Sequence, residues 1–508
     1  MSQPQAAKPS RLSRRSKAIL WSAVVVVTLL PALWEWKYAP QLNADDRGQY
    51  LMHAEALAEG RPYTDIGYIY TRYASRTGPR IAPPGWPLTL APLVKLVPQS
   101  ETPIKLVVLM SLVAFIAVSG QYFARRFDFW LGIATALTVG IALQASVTPA
   151  FGLADITFAA LIWGVISLID SSRPWSGSRT ALITAAGLAA FLYRTAALPL
   201  IPAVFLFAIV RRREQRWRPL VPLLVWSAYF AFSFGALEVG RLPPVPDGIM
   251  AQPVASEASP QDPGCCPVVV SLGRRAWNYR SASFESHLYP LPWAWGNDLY
   301  HAASSALMLV GLILWLASAR RHFLPLFALT YAAMLILSSA GSNRYLWPLF
   351  PVLAFALFRG VQWAVQFAFP RLRAGQVTAL IAGALAMGAL FRQAAGPAPW
   401  PLVSHPSVQE LFRAVENEDA RATVRVGFSK PRTLSWETGV PAMPLFTARP
   451  EIVFDELRRQ RITHVAVGSL GLRPEIATFW RGLVVDHPER FVVEFTNQDF
   501  DLYRLVPQ

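Results

Sequence analysis

Two adjacent aspartates, Asp45 and Asp46, open the stretch DDRGQYLMHAEALAEG, a short way beyond an apolar run from Ala18 to Trp34. A carboxylate within hydrogen-bond reach of a hydroxyl can take its proton as a new bond forms. On a helix starting near Asp46, positions 46, 50, 54 and 57 share one face. Asp46, Tyr50, Ala54 and Leu57 then lie in a row with the acid at the N-terminal end. The plainer alternative is a helix cap, because an Asp at a helix start meets free amide groups and the positive end of the dipole. Asp45 capping while Asp46 faces a cavity, and the reverse, both suit the spacing.

Other ionisable residues interrupt apolar runs. Asp155 starts DITFAALIWGVISLI, Arg194 breaks GLAAFLYRTAALPLIP, and Arg344 with Tyr345 opens RYLWPLFPVLAFAL. Each alone reads as a charge snorkelling at the end of a span. Two acids and two bases at the same face of a membrane point to a site. Arg72, Arg76 and Arg80 add donors, for which contact with anionic lipid and a specific phosphate site are equally open. Arg280 adds one more, inside an aromatic and basic stretch.

These side chains need a scaffold that holds them at one membrane face. The chain has 508 residues, 53% hydrophobic and 15% charged, with mean hydropathy +0.33. A soluble domain carries about 25% charged residues. The length calls for a second domain besides the membrane part. A span needs about 20 mostly apolar residues, which places spans near 18–37, 105–124, 129–147, 154–170, 180–194, 195–210, 219–240, 298–317, 323–341, 345–365 and 374–392. The basic start (Lys8, Arg11, Arg14, Arg15, Lys17) precedes an apolar run with no small-residue cleavage site, so an uncleaved first span is expected. Arg125, Arg126, Arg173, Arg179, the cluster Arg211 to Arg218, Arg320, Arg321, Arg371 and Arg373 all thread to the inside. That is the positive-inside pattern, with a cytoplasmic N-terminus and an outer C-terminus.

From His405 onward there are 13 Lys and Arg against 14 Asp and Glu; before it there are 34 against 17. Within the formal +16 the membrane part therefore carries +17 and the remainder −1, and that positive charge sets orientation and meets anionic lipid. No motif supports a nucleic-acid partner. Cys265 and Cys266, the only cysteines, make neither a disulfide framework nor a metal knuckle; two free thiols are expected over the alternative of a strained eight-membered disulfide ring.

Residues 38–104 and 241–297 are expected as outer loops of a membrane domain spanning 1–392. In the first, APPGWPLTLAPLVKLVP reads as a proline-broken helix at the interface. Residues 393–508 read as a small outer α/β domain. Strands are expected at 424–428, 464–468, 491–495 and 501–506, helices at 451–462 and 474–485, and a hairpin turn at Thr496 to Phe500. The fold class is mostly α: a polytopic membrane protein of about 11 transmembrane helices with this small α/β unit at its end.

The ordered series of these pieces resembles the GT-C superfamily of membrane glycosyltransferases, which includes protein O-mannosyltransferases and the lipid A aminoarabinose transferase. The resemblance starts with Asp46, Tyr50, Ala54 and the helix end LAEG (57–60), followed by PPGWPL (83–88). It continues through ADITFAAL, LYRTAALPL, RYLWPLFP and the ending FVVEFTNQDFDLYRL, and so covers most of the chain. Two departures stand out. Many members have Asp-Glu where this chain has Asp46-Arg47, and the transferase's Glu-Lys-Pro-Pro element is Ala82-Pro83-Pro84 here, without its charges.

The resemblance implies a donor carried on polyprenyl phosphate and a hydroxyl acceptor on a lipid, glycan or protein, in cell-envelope glycosylation. It implies inverting transfer, with Asp46 as the base and no covalent sugar intermediate, unlike retaining glycosidases. The lipid phosphate leaves with growing charge and needs fixed cations. Arg194 and Arg344 are carried over for that role, with Arg72, Arg76, Arg80 and Arg280 behind them. Asp155 would orient the acceptor or a basic partner, and Asp45, Tyr50 and Tyr345 complete the substrate site. No cofactor is expected; some members use a divalent metal, but seven scattered histidines without a ligand motif argue against one here. The expected location is the cell (inner) membrane, with the C-terminal domain periplasmic or extracellular.

Two rivals remain. A transporter of lipid-linked sugars would favour mid-bilayer polar groups and inverted repeats, whereas these charges gather at one face. A non-catalytic protein binding a lipid or envelope partner would keep the same residues. The absence of a Gly-rich nucleotide-binding motif argues against a nucleotide-sugar donor.

Overall fold

In the computed structural model the described residues are 13–38, 45–71, 73, 83–97, 100, 102–142, 153–171, 175–210, 218–240, 294–318, 322–337, 343–395, 403, 405–419, 423–470 and 474–506. Cys265 and Cys266, Arg72, Arg76, Arg80 and Arg280 lie outside them, as does the end of the expected third span.

Every expected apolar span holds a helix. They are α1 (Arg14–Tyr38), α4 (Thr102–Arg126), α5 (Phe129–Ala142), α6 (Asp155–Ile169), α7 (Gly177–Tyr193), α8 (Leu200–Val210), α9 (Leu220–Gly240), α10 (Ala294–Ser318), α11 (Phe323–Leu337), α12 (Phe350–Ala368) and α13 (Ala374–Ala395). Two stretches among the described residues, Thr102–Arg126 and Tyr345–Ala368, are long and apolar enough to cross a membrane by length and composition. Between α1 and α4 come two further helices, α2 (Asp45–Ala58) and α3 (Gly85–Leu96). Helix α2 ends where LAEG demands: Gly60 takes φ +72, and the Arg61 amide donates back to the Ala56 carbonyl.

Large aromatic side chains fill the helical core, among them Trp86, Phe115, Phe123, Trp163, Trp226, Phe323 and Phe355. Phe123 stacks on Phe355 at 4.2 Å, and the Trp163 indole donates to the Pro348 carbonyl at 2.9 Å, tying α6 to the turn that opens α12. Helices α10 and α12 meet backbone to backbone at Gly311 and Gly360, where any Cβ would strike the facing chain. At the far end of α6, the buried Asp170 carboxylate accepts from the Tyr122 hydroxyl and from the Phe323 amide at 3.0 Å. It thereby caps α11 from a neighbouring element, with Arg126 at 3.9 Å.

The final segment holds α14 (Pro406–Asp419), α15 (Pro431–Thr438), α16 (Pro450–Arg459), α17 (Pro474–Asp486) and a five-stranded sheet. Its strands are β1 (Val426–Phe428), β2 (Ala442–Pro444), β3 (His464–Gly468), β4 (Phe491–Thr496) and β5 (Phe500–Leu505), in the order β2-β1-β3-β5-β4. The β1 strand is parallel to β2 and β3; β5 is antiparallel to β3 and β4. Four strands and two helices fall where the residue pattern places them. The expected helix 451–462 stops at 459, because Arg461 takes a left-handed φ of +55 that L residues adopt only to end a helix or turn.

The sheet does not end at β2. Tyr68 bridges Ala442 in parallel, with the Ile69 amide donating to the Ala442 carbonyl at 2.8 Å and the Ala442 amide to Gly67 at 3.1 Å. The segment after α2 thus extends a sheet that lies far along the chain.

Candidate active site

Helix α2 carries the acid row on one face. Tyr50 and Ala54 are buried, and Asp46 remains a third exposed at the first turn. Its Oδ1 accepts from Nη1 of Arg432, the second residue of α15, at 2.7 Å. The Arg432 guanidinium stands 4.8 Å from the centre of the Tyr68 ring. Close approach of α2 and α15 depends on Gly48, where a Cβ would lie 2.5 Å from the Arg432 carbonyl oxygen.

A second ion pair lies on the buried side. Arg194, at the break between α7 and α8, meets Asp155, the first residue of α6, with Nη1 to Oδ1 at 2.6 Å. The two side chains are 8% and 2% exposed, so the pair is sealed from water. Its guanidinium stands 5.1 Å from the centre of the Tyr345 ring and also hydrogen-bonds the Tyr50 phenol. Burial pushes the Tyr50 phenol above its ordinary value; Arg194 pulls it down, while Asp155 and Asp46 add to the rise. Tyr50 therefore stands between the two ion pairs and feels both.

Behind Tyr50, α2 is pinned by its own loop. The His53 Nδ1 donates to the Tyr63 carbonyl at 2.7 Å, and the ring stacks on Tyr63 at 4.1 Å. That leaves Nε2 as an acceptor 3.5 Å from the Gln49 amide nitrogen, which also donates to the Tyr70 hydroxyl at 3.0 Å. Burial drops the His53 pKa to about 4, so the imidazole is neutral at ordinary pH.

The opposite face of α2 borders a cavity of about 610 Å³, walled by Arg47, Glu55, Val97 and Ile104 and by Trp436 and Glu437 of α15. Burial raises the Glu437 carboxyl, an effect that Arg47 offsets. Arg47 and Glu437 both line the cavity, and the charge of each acts on the other. Hydroxyl-rich ligands suit such walls, where an indole face adjoins charged donors and acceptors. Among the described residues no group of three or more His, Cys, Asp and Glu side chains could hold a metal ion.

The structure brings together Asp46, Tyr50, Asp155, Arg194 and Tyr345 of the residues singled out by type and spacing. Asp45 and Arg344 occupy helical positions beside Asp46 and Tyr345. Arg432 went unseen. It lies 386 positions from Asp46, in a short helix with no strong period, and no local signal could have found it.

A scan against protein-family models finds no match, and a search of curated proteins finds none. Solved structures do match. ArnT from Cupriavidus metallidurans bound to undecaprenyl phosphate superposes with a TM-score of 0.53 at 15% identity, over 98% of this chain and 100% of that one. The Archaeoglobus fulgidus oligosaccharyltransferase, in complex with Zn and sulfate, superposes with a TM-score of 0.56 at 12% identity, over 95% of this chain and 72% of that one. At such identities the likeness concerns the path of the chain, which this protein shares with these two structures.

Proposed function

We propose that the chain is an inverting glycosyltransferase that moves a monosaccharide from a polyprenyl-phosphate carrier to a hydroxyl acceptor at the outer face of a membrane. The observation that carries this reading is the convergence of Asp46, Tyr50, Asp155 and Arg194 within a GT-C fold. The neighbouring structure's bound undecaprenyl phosphate supports a lipid-phosphate donor for this chain as well.

In this reading Asp46 is the base. It pairs with Arg432 and is partly open to water. The Asp155–Arg194 pair fixes Tyr50 and the ring of Tyr345 as one wall, and presents a cation whose charge is already balanced. Net positive charge for the leaving phosphate then comes from Arg344 and from Arg72, Arg76, Arg80 and Arg280. Eleven spans, a cytoplasmic N-terminus and an outer α/β unit at 393–508 belong to the same proposal, in the inner membrane of a cell with an envelope.

The test is transfer of labelled sugar from a panel of polyprenyl-phosphate monosaccharides in membranes holding wild-type or Asp46→Asn protein at matched levels. Transfer by wild type that is lost in the variant supports the reading and names the sugar. A variant as active as wild type would return Asp46 to a capping role, and no transfer from any donor would leave a binding protein as the better account.

A further inference from the structure

The two ion pairs at the site are built differently. Asp155 and Arg194 are sealed, and separating them would strand a buried charge. Asp46 and Arg432 are 33% and 17% exposed, so that pair is in partial contact with water and is less sealed than the first. Arg432 is nevertheless held in place. Its guanidinium face rests over Tyr68, and its backbone is pressed against Gly48. Its N–H edge can turn from one acceptor to another without any movement of α15, which is what a planar donor fork allows.

The proposed transfer moves negative charge in a defined direction. The acceptor hydroxyl gives its proton to the Asp46 carboxylate, which becomes neutral, and its oxygen bonds to the sugar carbon. The bond from that carbon to the phosphate oxygen breaks, and its electron pair stays on the phosphate. A carrier diester with one negative charge becomes a monoester with a second. Charge therefore leaves the residue that Arg432 holds and gathers on the carrier phosphate.

We propose that Arg432 changes partners during the reaction, holding Asp46 in the free protein and turning to the carrier phosphate as charge builds there. The exchange rests on the donor class proposed above. It makes Arg432 a group that binds the transition state better than the ground state, because its first partner is neutralised as its second is charged. It also makes the final segment of the chain part of the active site, not a brace for the outer loops.

Farnesyl phosphate, a short-chain mimic of the carrier product, serves as the probe, with its affinity measured on purified full-length protein in detergent. In wild type, Asp46 and the phosphate compete for Arg432. Asp46→Asn should therefore tighten binding and Arg432→Gln weaken it, each by about fivefold or more. In the double variant the gain from Asp46→Asn should vanish. Should Arg432→Gln not fold, Arg432→Lys carries the test, and there the gain from Asp46→Asn should shrink. Equal losses in both single variants, an unchanged affinity in Asp46→Asn, or a gain that survives without Arg432 would each reduce Arg432 to a brace while leaving the donor class standing. A wild-type protein that does not bind farnesyl phosphate would overturn the donor class, and the exchange with it.

Discussion

Gly48 faces the carbonyl of Arg432 so closely that a Cβ would stand 2.5 Å from its oxygen. Backbone oxygen cannot yield as a flexible side chain can, so the smallest substitution must separate α2 from α15. Gly48→Ala should destabilise the protein by about 1–3 kcal/mol despite Ala's better helix propensity. Thermal unfolding in detergent should show a lowered midpoint. An unchanged midpoint would mean that the two helices are not locked together.

The sealed pair predicts an asymmetry between single and double variants. Asp155→Asn or Arg194→Gln should each cost roughly 3–5 kcal/mol, because each leaves the other charge buried without its partner. The double variant should cost less than the sum of the two. Additive losses in a double-mutant cycle would contradict the coupling.

His53 makes stability depend on pH. Its folded pKa is near 4 against an ordinary 6.5, so between those values the unfolded chain binds the proton and the folded chain does not. Its contribution is complete above about pH 6.5 and is lost as the pH falls toward 4, a change of about 3 kcal/mol. Denaturation midpoints from pH 7 to 4 should fall in wild type and fall less in His53→Asn; parallel curves would remove His53 as the cause.

At the other end of the helical body, Asp170 caps α11 without belonging to it. Asp170→Ala should cost roughly 2 kcal/mol by leaving the Phe323 and Leu324 amides and the Tyr122 hydroxyl without their acceptor. On the proposed function, transfer activity per folded molecule should be unchanged, because the cap lies at the end of α6 opposite Asp155. Reduced activity at equal folded fraction would show a link between the two ends.

The residues differ in how far they could be read in advance. Long apolar runs can do little but form helices, so α4, α6 and α12 were visible from hydropathy and length. Alternating and β-branched stretches such as His464–Gly468 and Phe491–Thr496 were visible for the same kind of reason. Ala442–Pro444 was not, since three residues carry no period and become a strand only because β1 and the Tyr68 segment flank them. Asp155 and Arg194 stood out as charges within apolar runs, although nothing local says that they touch. Arg432 and the cavity behind Arg47 depend on how distant segments dock, and a sequence pattern of 10 or 20 residues holds no record of that.

The bond between Asp46 and Arg432 spans 386 positions, which also dates the completion of the site during synthesis. At about 5–20 residues per second, Arg432 is made roughly 20 to 80 s after Asp46. Through that interval Gly67 to Ile69 have no β2 to pair with, and Arg432 is not yet there to meet Asp46. The contact between Asp46 and Arg432 cannot form until the chain's final segment has been made and docked. Interrupted synthesis would therefore leave α2 and the segment behind it without the guanidinium and the strand that hold them.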